Sequence, residues 1–182
     1  MSRRTLVALL LVSWLTAPPS SSAAPATRFR VTGLDGTRLE LDQLRRRGPV
    51  LIDFWATWCK PCLSSIPELQ ALHERFGPRG LTVLGVSVDG PRNYAKVRPF
   101  VARLGITYPV TLDSDGRLQA DYQVRAMPTT VLVDTAGMIV HMTQGYRPGE
   151  GEALAAAIAQ LLPVAAADSA AADSAAADST GR

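Results

Sequence analysis

The chain has 182 residues, 19 of them basic and 16 acidic, a formal charge of +3 and a hydrophobic fraction of 47%. That balance is globular and excludes a disordered chain, a polytopic membrane protein and a nucleic-acid binder with a basic stripe. Two cysteines exclude a disulfide-rich scaffold and a four-thiolate metal site.

Residues 1–26 read as an export signal. Arg3 and Arg4 precede an apolar run from Leu6 to Leu15, and a polar break follows at Pro18 to Ser22. Ser21-Ser22-Ala23 and Ala24-Pro25-Ala26 both offer the small-x-small spacing that a signal peptidase accepts. A span needs roughly 20 apolar residues, more than this run holds. The expectation is a cleaved leader, no stable membrane span afterwards, and a mature chain in a bacterial periplasm or similar extracytoplasmic space.

The core domain is expected over residues 27–163. Arg28 to Thr32 and Arg38 to Leu41, joined by Gly33 to Gly36, suggest a short opening β-hairpin. Val50 to Ala56 is nearly continuous in apolar residues, as in a strand buried on both faces. Lys60 to Phe76 has helical spacing, with Leu63, Ile66, Leu69, Leu72 and Phe76 three or four apart, and Gly77-Pro78 ends it. A buried strand at Leu81 to Val88, a helix at Asn93 to Leu104, a strand at Tyr108 to Leu112 and a helical turn at Leu118 to Tyr122 follow. Thr129 to Asp134 and Met138 to Thr143 flank Thr135-Ala136-Gly137 as a hairpin. A last helix spans Gly149 to Leu162, with Leu154, Ile158, Leu161 and Leu162 inward. This order implies an α/β domain around a central mixed β-sheet flanked by helices. From Ala165 to Ser179 the unit Ala-Ala-Ala-Asp-Ser repeats three times. Its period of five builds no single apolar face, so residues 164–182 read as a disordered Ala/Asp/Ser tail.

The chemistry concentrates at Trp58-Cys59-Lys60-Pro61-Cys62, where a buried strand hands over to a helix. There, unpaired backbone N–H groups and the helix dipole stabilise a thiolate, and Lys60 adds positive charge. Both lower the Cys59 thiol from its usual ~8.5 and make it a nucleophile near neutral pH. Cys62 lies one turn on, within reach of a mixed disulfide on Cys59. Pro61 is tolerated because the first turn has no N–H bond to lose. A purely structural disulfide would close too small a loop to stabilise much. Half of a zinc site would need His73 and His141, which lack a paired spacing. No metal is expected.

Asp53 lies inside the apolar run. Burial there would raise its pKa unless a neighbouring Lys or backbone group at the strand end bonds it. Lys96, Arg98 and Arg103 read as a solvated helix face, and His73 and His141 as structural or surface groups.

Phe54 to Cys62, Pro67 in the helix and Met127-Pro128-Thr129-Thr130 together resemble the thioredoxin superfamily. The leader, the opening hairpin and an added segment from Gly90 to Val124 are most similar to its exported TlpA/ResA branch, over roughly residues 28 to 162. The resemblance implies a thioredoxin fold with a central insertion and cofactor-free thiol–disulfide exchange through Cys59 and Cys62. It implies that Pro128 is the family's cis-proline, leaving the Met127 backbone free to pair with an extended partner segment. Trp58 then shields the disulfide and offers a flat docking surface, and Trp55 belongs to the core. Pro67 corresponds to a helix-kinking proline. Asp53 matches a buried aspartate that accepts the second cysteine's proton. Many sequences of the branch instead carry a glutamate three residues after the second cysteine, where this chain has Ser65.

The activity so implied is an exported protein disulfide oxidoreductase. It would reduce client disulfides, such as those of apocytochrome c or copper sites, and be recycled by a membrane or exported thiol-redox partner. The competing readings are a disulfide-donating oxidant or isomerase, a thiol peroxidase, and a copper-delivery protein. The Thr-x-x-Cys setting of peroxidases is absent, since Thr57 lies two residues before Cys59 and five before Cys62.

Overall fold

The computed structural model describes residues 24–163; the leader through Ala23 and the tail from residue 164 lie outside them. Among the described residues, eight strands and five α-helices follow in order: β1 (Ala24–Pro25), β2 (Arg30–Thr32), β3 (Arg38–Glu40), α1 (Leu41–Leu44), β4 (Val50–Trp55), α2 (Lys60–Phe76), β5 (Thr82–Ser87), α3 (Tyr94–Arg103), β6 (Val110–Leu112), α4 (Arg117–Asp121), β7 (Thr129–Val133), β8 (Met138–Gln144) and α5 (Glu150–Leu161). The sheet order is β1-β8-β7-β4-β5-β6, and β2 and β3 form a separate hairpin. β4 pairs parallel with β5 and antiparallel with β7, so the sheet is mixed as expected.

All six residues of β4 are buried, because it is central and both of its faces are covered. On one face Leu51 and Trp55 join Ile66, Leu69 and Phe76 of α2, Val97 of α3, and Leu154 and Ile158 of α5. On the other, Ile52 and Phe54 pack with Phe29 and Leu39 of the hairpin region, Leu44 of α1, and Leu118 and Tyr122. Each such apolar side chain contributes roughly 1.5–3 kcal/mol on burial. β4 is therefore a rigid platform, and α2 leaves directly from its C-terminal end.

Three details depart from the sequence reading. Leu63 is not part of the inner stripe: it is 41% exposed, and Cys62, fully buried, takes that position. Leu41 does not extend the hairpin strand but opens α1, where it is buried. Three residues of the segment read as leader enter the fold. Ala24 and Pro25 pair with Ile139 and Met138 of β8, and the Ala26 N–H donates to the Gly137 carbonyl at 2.9 Å. Glycine is required where β4 and β5 begin side by side. A Cβ on Gly48 would stand 2.4 Å from the Gly80 carbonyl oxygen, and Gly80 itself has φ +113°.

Candidate active site

Cys59 is the N-cap of α2, and its sulfur accepts the Cys62 N–H at 3.3 Å. The two cysteines are joined as a disulfide with S–S 2.03 Å and Cα–Cα 5.4 Å. Cys59 is 5% exposed and Cys62 fully buried, so an incoming thiol or disulfide meets Cys59 first. The N–H on the Cys59 sulfur would become a charge-assisted donor to a thiolate. Lys60 and Pro61 form the first turn, and both are exposed. Trp58 is 59% exposed, whereas Trp55 is buried and stacked on Phe100 of α3 at 5.7 Å. Trp58 is thus a surface side chain and Trp55 a core one.

The Met127–Pro128 peptide is cis. Pro128 is buried and Met127 half-buried. Met127 lines one groove with Trp58, Cys59, Lys60 and Pro61. Neither its N–H nor its C=O has a hydrogen-bond partner among the described residues. An edge of backbone therefore lies open beside the disulfide, the requirement for adding an extended segment as a strand.

Asp53 sits at the centre of β4, opposite Gly85 of β5 and Thr130 of β7. Alternation along the strand puts it on the same face as Leu51 and Trp55, the face whose core includes Cys62. It is fully buried, and neither carboxylate oxygen has a hydrogen-bond partner. The alternative of a neighbouring Lys or backbone bond is thus not realised. Desolvation alone pushes its pKa up to about 8. Burial, and then the nearby Asp53, push the Tyr108 hydroxyl far up as well.

Ser65 donates to the Cys62 carbonyl at 3.0 Å, a local backbone bond, so it does not replace a carboxylate. The nearest acidic contribution on that helix comes one turn later. Glu68 accepts the Tyr146 hydroxyl at 2.8 Å and the Gly151 N–H at 3.1 Å, tying α2 to the start of α5. A second residue escaped the sequence reading. Asp89 is fully buried and accepts the Thr57 N–H at 2.9 Å, the Thr57 hydroxyl at 2.6 Å and the Ser87 hydroxyl at 2.9 Å. It fixes the residue that precedes Trp58. Its only sequence signal is an acid just past the C-terminal end of a parallel strand.

Pro67 lies inside α2 as expected. His73 packs edge-on to Tyr108, and His141 is bonded to Thr143 at 2.9 Å on β8. Among the described residues no group of three His, Cys, Asp or Glu side chains could hold a metal ion, and no helix is long and apolar enough to cross a membrane.

The AhpC/TSA family model matches residues 22–142. The chain is 33% identical over 125 residues to thiol-disulfide oxidoreductase ResA of Bacillus subtilis, covering 69% of this chain and 68% of that protein. It is 32% identical over 154 residues to ResA of Geobacillus thermodenitrificans, covering 78% and 86%. Among solved structures, a Chlorobium tepidum chain assigned as thiol:disulfide interchange protein DsbE aligns with TM-score 0.67 at 30% identity, covering 72% of this chain and 91% of that one. The exposed lipoprotein thioredoxin Etrx1 of Streptococcus pneumoniae aligns with TM-score 0.62 at 28% identity, covering 74% and 100%.

Proposed function

The chain belongs to the AhpC/TSA family of the thioredoxin superfamily and is a thiol–disulfide oxidoreductase, and from that premise we propose that it reduces client-protein disulfides outside the cytoplasm. The observation that carries the reading is Cys59 at the start of α2, the more accessible partner of a disulfide that lies between exposed Trp58 and the open Met127 backbone. In the reduced protein the Cys59 thiolate attacks one client sulfur. The client S–S bond breaks, a Cys59–client disulfide forms, and the departing client thiolate takes a proton. In molecules whose Asp53 is ionised, a fraction that grows as pH rises toward about 8, Cys62 then gives its proton to that carboxylate and attacks the Cys59 sulfur. The Cys59–client bond breaks, the second client sulfur leaves as a thiolate and takes a proton, and the Cys59–Cys62 disulfide of this structure is regenerated. A carboxylate raised from 3.8 to about 8 is a far stronger base than an ordinary one, the condition for efficient proton transfer from a thiol.

Two electrons must return from a thiol-redox partner after each cycle. Export is supported by Arg3, Arg4 and the apolar run from Leu6 to Leu15, and by similarity to an exposed lipoprotein thioredoxin. Cleavage after Ala23 retains β1, whereas cleavage after Ala26 removes it, so the first site fits the fold better. Cytochrome c maturation, with apocytochrome c as client, is the finer reading that the branch resemblance supports.

The test is the reduction potential of the pair, equilibrated against glutathione and dithiothreitol. A value near ~−270 mV fits a reductant; one near ~−120 mV makes the protein a disulfide donor and overturns the proposed direction. A Cys62→Ser form should accumulate the mixed disulfide on Cys59, and labelling of any other position refutes the assignment.

A further inference from the structure

Trp58 stands between two grooves. One, of about 410 Å³, runs past Cys59 and Pro61 and is walled by Val124 to Met127. The other, of about 670 Å³, lies toward α3 and is walled by Thr57, Asn93, Pro99 and Phe100. Every charged side chain lining either groove is a cation: Lys60 and Arg125 on the Cys59 side, Lys96 and Arg103 on the α3 side. All four are exposed, and none forms a salt bridge among the described residues. Arg103 is held over the Phe100 ring at 4.9 Å, and Lys96 is bonded to Asn93 at 2.9 Å, so both are placed and neither is neutralised.

Most cations among the described residues form no salt bridge, so what sets these two grooves apart is that no carboxylate lines either one. The cavity of about 990 Å³ under the β2–β3 hairpin has four arginines among its lining residues, but it also has five carboxylates. Three of those arginines are paired there: Arg28 with Asp42, Arg30 with Glu40 and Arg117 with Asp121. Lys96 and Arg103 are exposed, as expected of a solvated face, and they also line the groove beside Trp58.

We propose that the protein selects client disulfides flanked by acidic residues. This rests on the oxidoreductase reading and names the substrate class of the same site. An extended client segment that presents its sulfur to Cys59 crosses Trp58 and lays one arm in each groove. Carboxylates before and after the client cysteine then face Arg125 and Lys60 on one side and Lys96 and Arg103 on the other. Pairs of this exposed kind raise the encounter rate and set partner choice, and added salt screens them.

The experiment uses the reduced full-length protein and three synthetic peptides of equal length. Each has one internal disulfide, flanked by aspartates, serines or lysines. Stopped-flow tryptophan fluorescence gives the second-order rate of reduction. At low ionic strength the expected order is aspartate, serine, lysine, spanning roughly tenfold or more, and the spread collapses in 1 M salt. The Lys96→Gln, Arg103→Gln, Arg125→Gln triple variant should narrow the aspartate-to-lysine ratio to about twofold, a readout that is independent of overall rate. Equal rates for the three peptides, an order that salt does not change, or a full spread in the triple variant each overturn the proposal. Failure of the wild type to reduce any of the three would overturn the oxidoreductase reading instead.

Discussion

Replacing Asp53 by Asn should make the protein more stable at neutral pH, by an amount that grows with pH. The carboxyl has a reference pKa of 3.8 and is raised to about 8 by desolvation in the fold. Between those values the unfolded chain releases its proton while the folded chain keeps it, so the native state binds more protons. Stability then falls as pH rises, by about 1.4 kcal/mol per pH unit for one group. At pH 7 the accumulated loss is roughly 4 kcal/mol, a large fraction of a domain's total stability. Asn keeps the shape and removes the titration. Urea unfolding of the oxidised wild type and variant, in steps from about pH 4.5 to pH 9, isolates this group by difference. The variant's advantage should increase by roughly 3 to 4 kcal/mol up to pH 7 and level off above about pH 8. A difference that stays flat across the range, or that shrinks as pH rises, would show that Asp53 is solvated or partnered in the folded protein. The argument from burial would then be wrong.

Two further outcomes follow from the packing around it. Gly85→Ala places a methyl 3.1 Å from the Trp55 indole nitrogen, 3.2 Å from the Tyr108 ring and 3.2 Å from Val110. The three close contacts leave no direction of relief, so thermal or urea unfolding should show a loss of roughly 1–3 kcal/mol; an unchanged midpoint would mean the rings move freely. Asp89→Ala strands the Thr57 N–H and the Thr57 and Ser87 hydroxyls. It should cost on the order of 3 kcal/mol and slow client reduction, since Thr57 leads into Trp58 and Cys59. Asp89→Asn, which keeps acceptor capacity, should recover part of both, and equal loss in the two variants would count against a positioning role.

Much of this architecture is carried by local pattern. The bounds of α2 follow from spacing between a Cys-x-Pro-Cys start and a Gly-Pro stop, and both signals act within a turn or two of chain. The same locality explains the error at Leu63. Its spacing to Ile66 and that of Cys62 to Ile66 and Leu69 both suit a helix, and only the position of β4 beneath α2 decides which side chain turns inward. Asp89 against Thr57 and Glu68 against Tyr146 are separated by 32 and 78 residues. No periodicity records a meeting of that kind; it exists only once β5 lies beside β4 and α5 packs on α2.

Asp53 shows the complementary case, where sequence gives the energy of a residue but not its surroundings. An acid within an apolar strand reads at once as costly. Whether the cost is offset depends on β5 and β7, which present Gly85 and Thr130 opposite it. Gly85 has no side chain, and no bond from Thr130 reaches the carboxylate, so the group is left neutral and unpartnered near neutral pH. A carboxyl kept in that condition costs stability, yet it shares a face with Cys62 and can take up a proton near pH 8. Those two properties are what proton transfer during resolution requires. They tie the pH dependence of stability to the pH dependence of exchange: in wild type both should carry a turn near pH 8, and in Asp53→Asn that turn should vanish from stability and leave in exchange only the titration of the thiols. Finding the exchange rate of the variant with an unshifted profile between about pH 6 and pH 9 would separate the two and remove Asp53 from the mechanism.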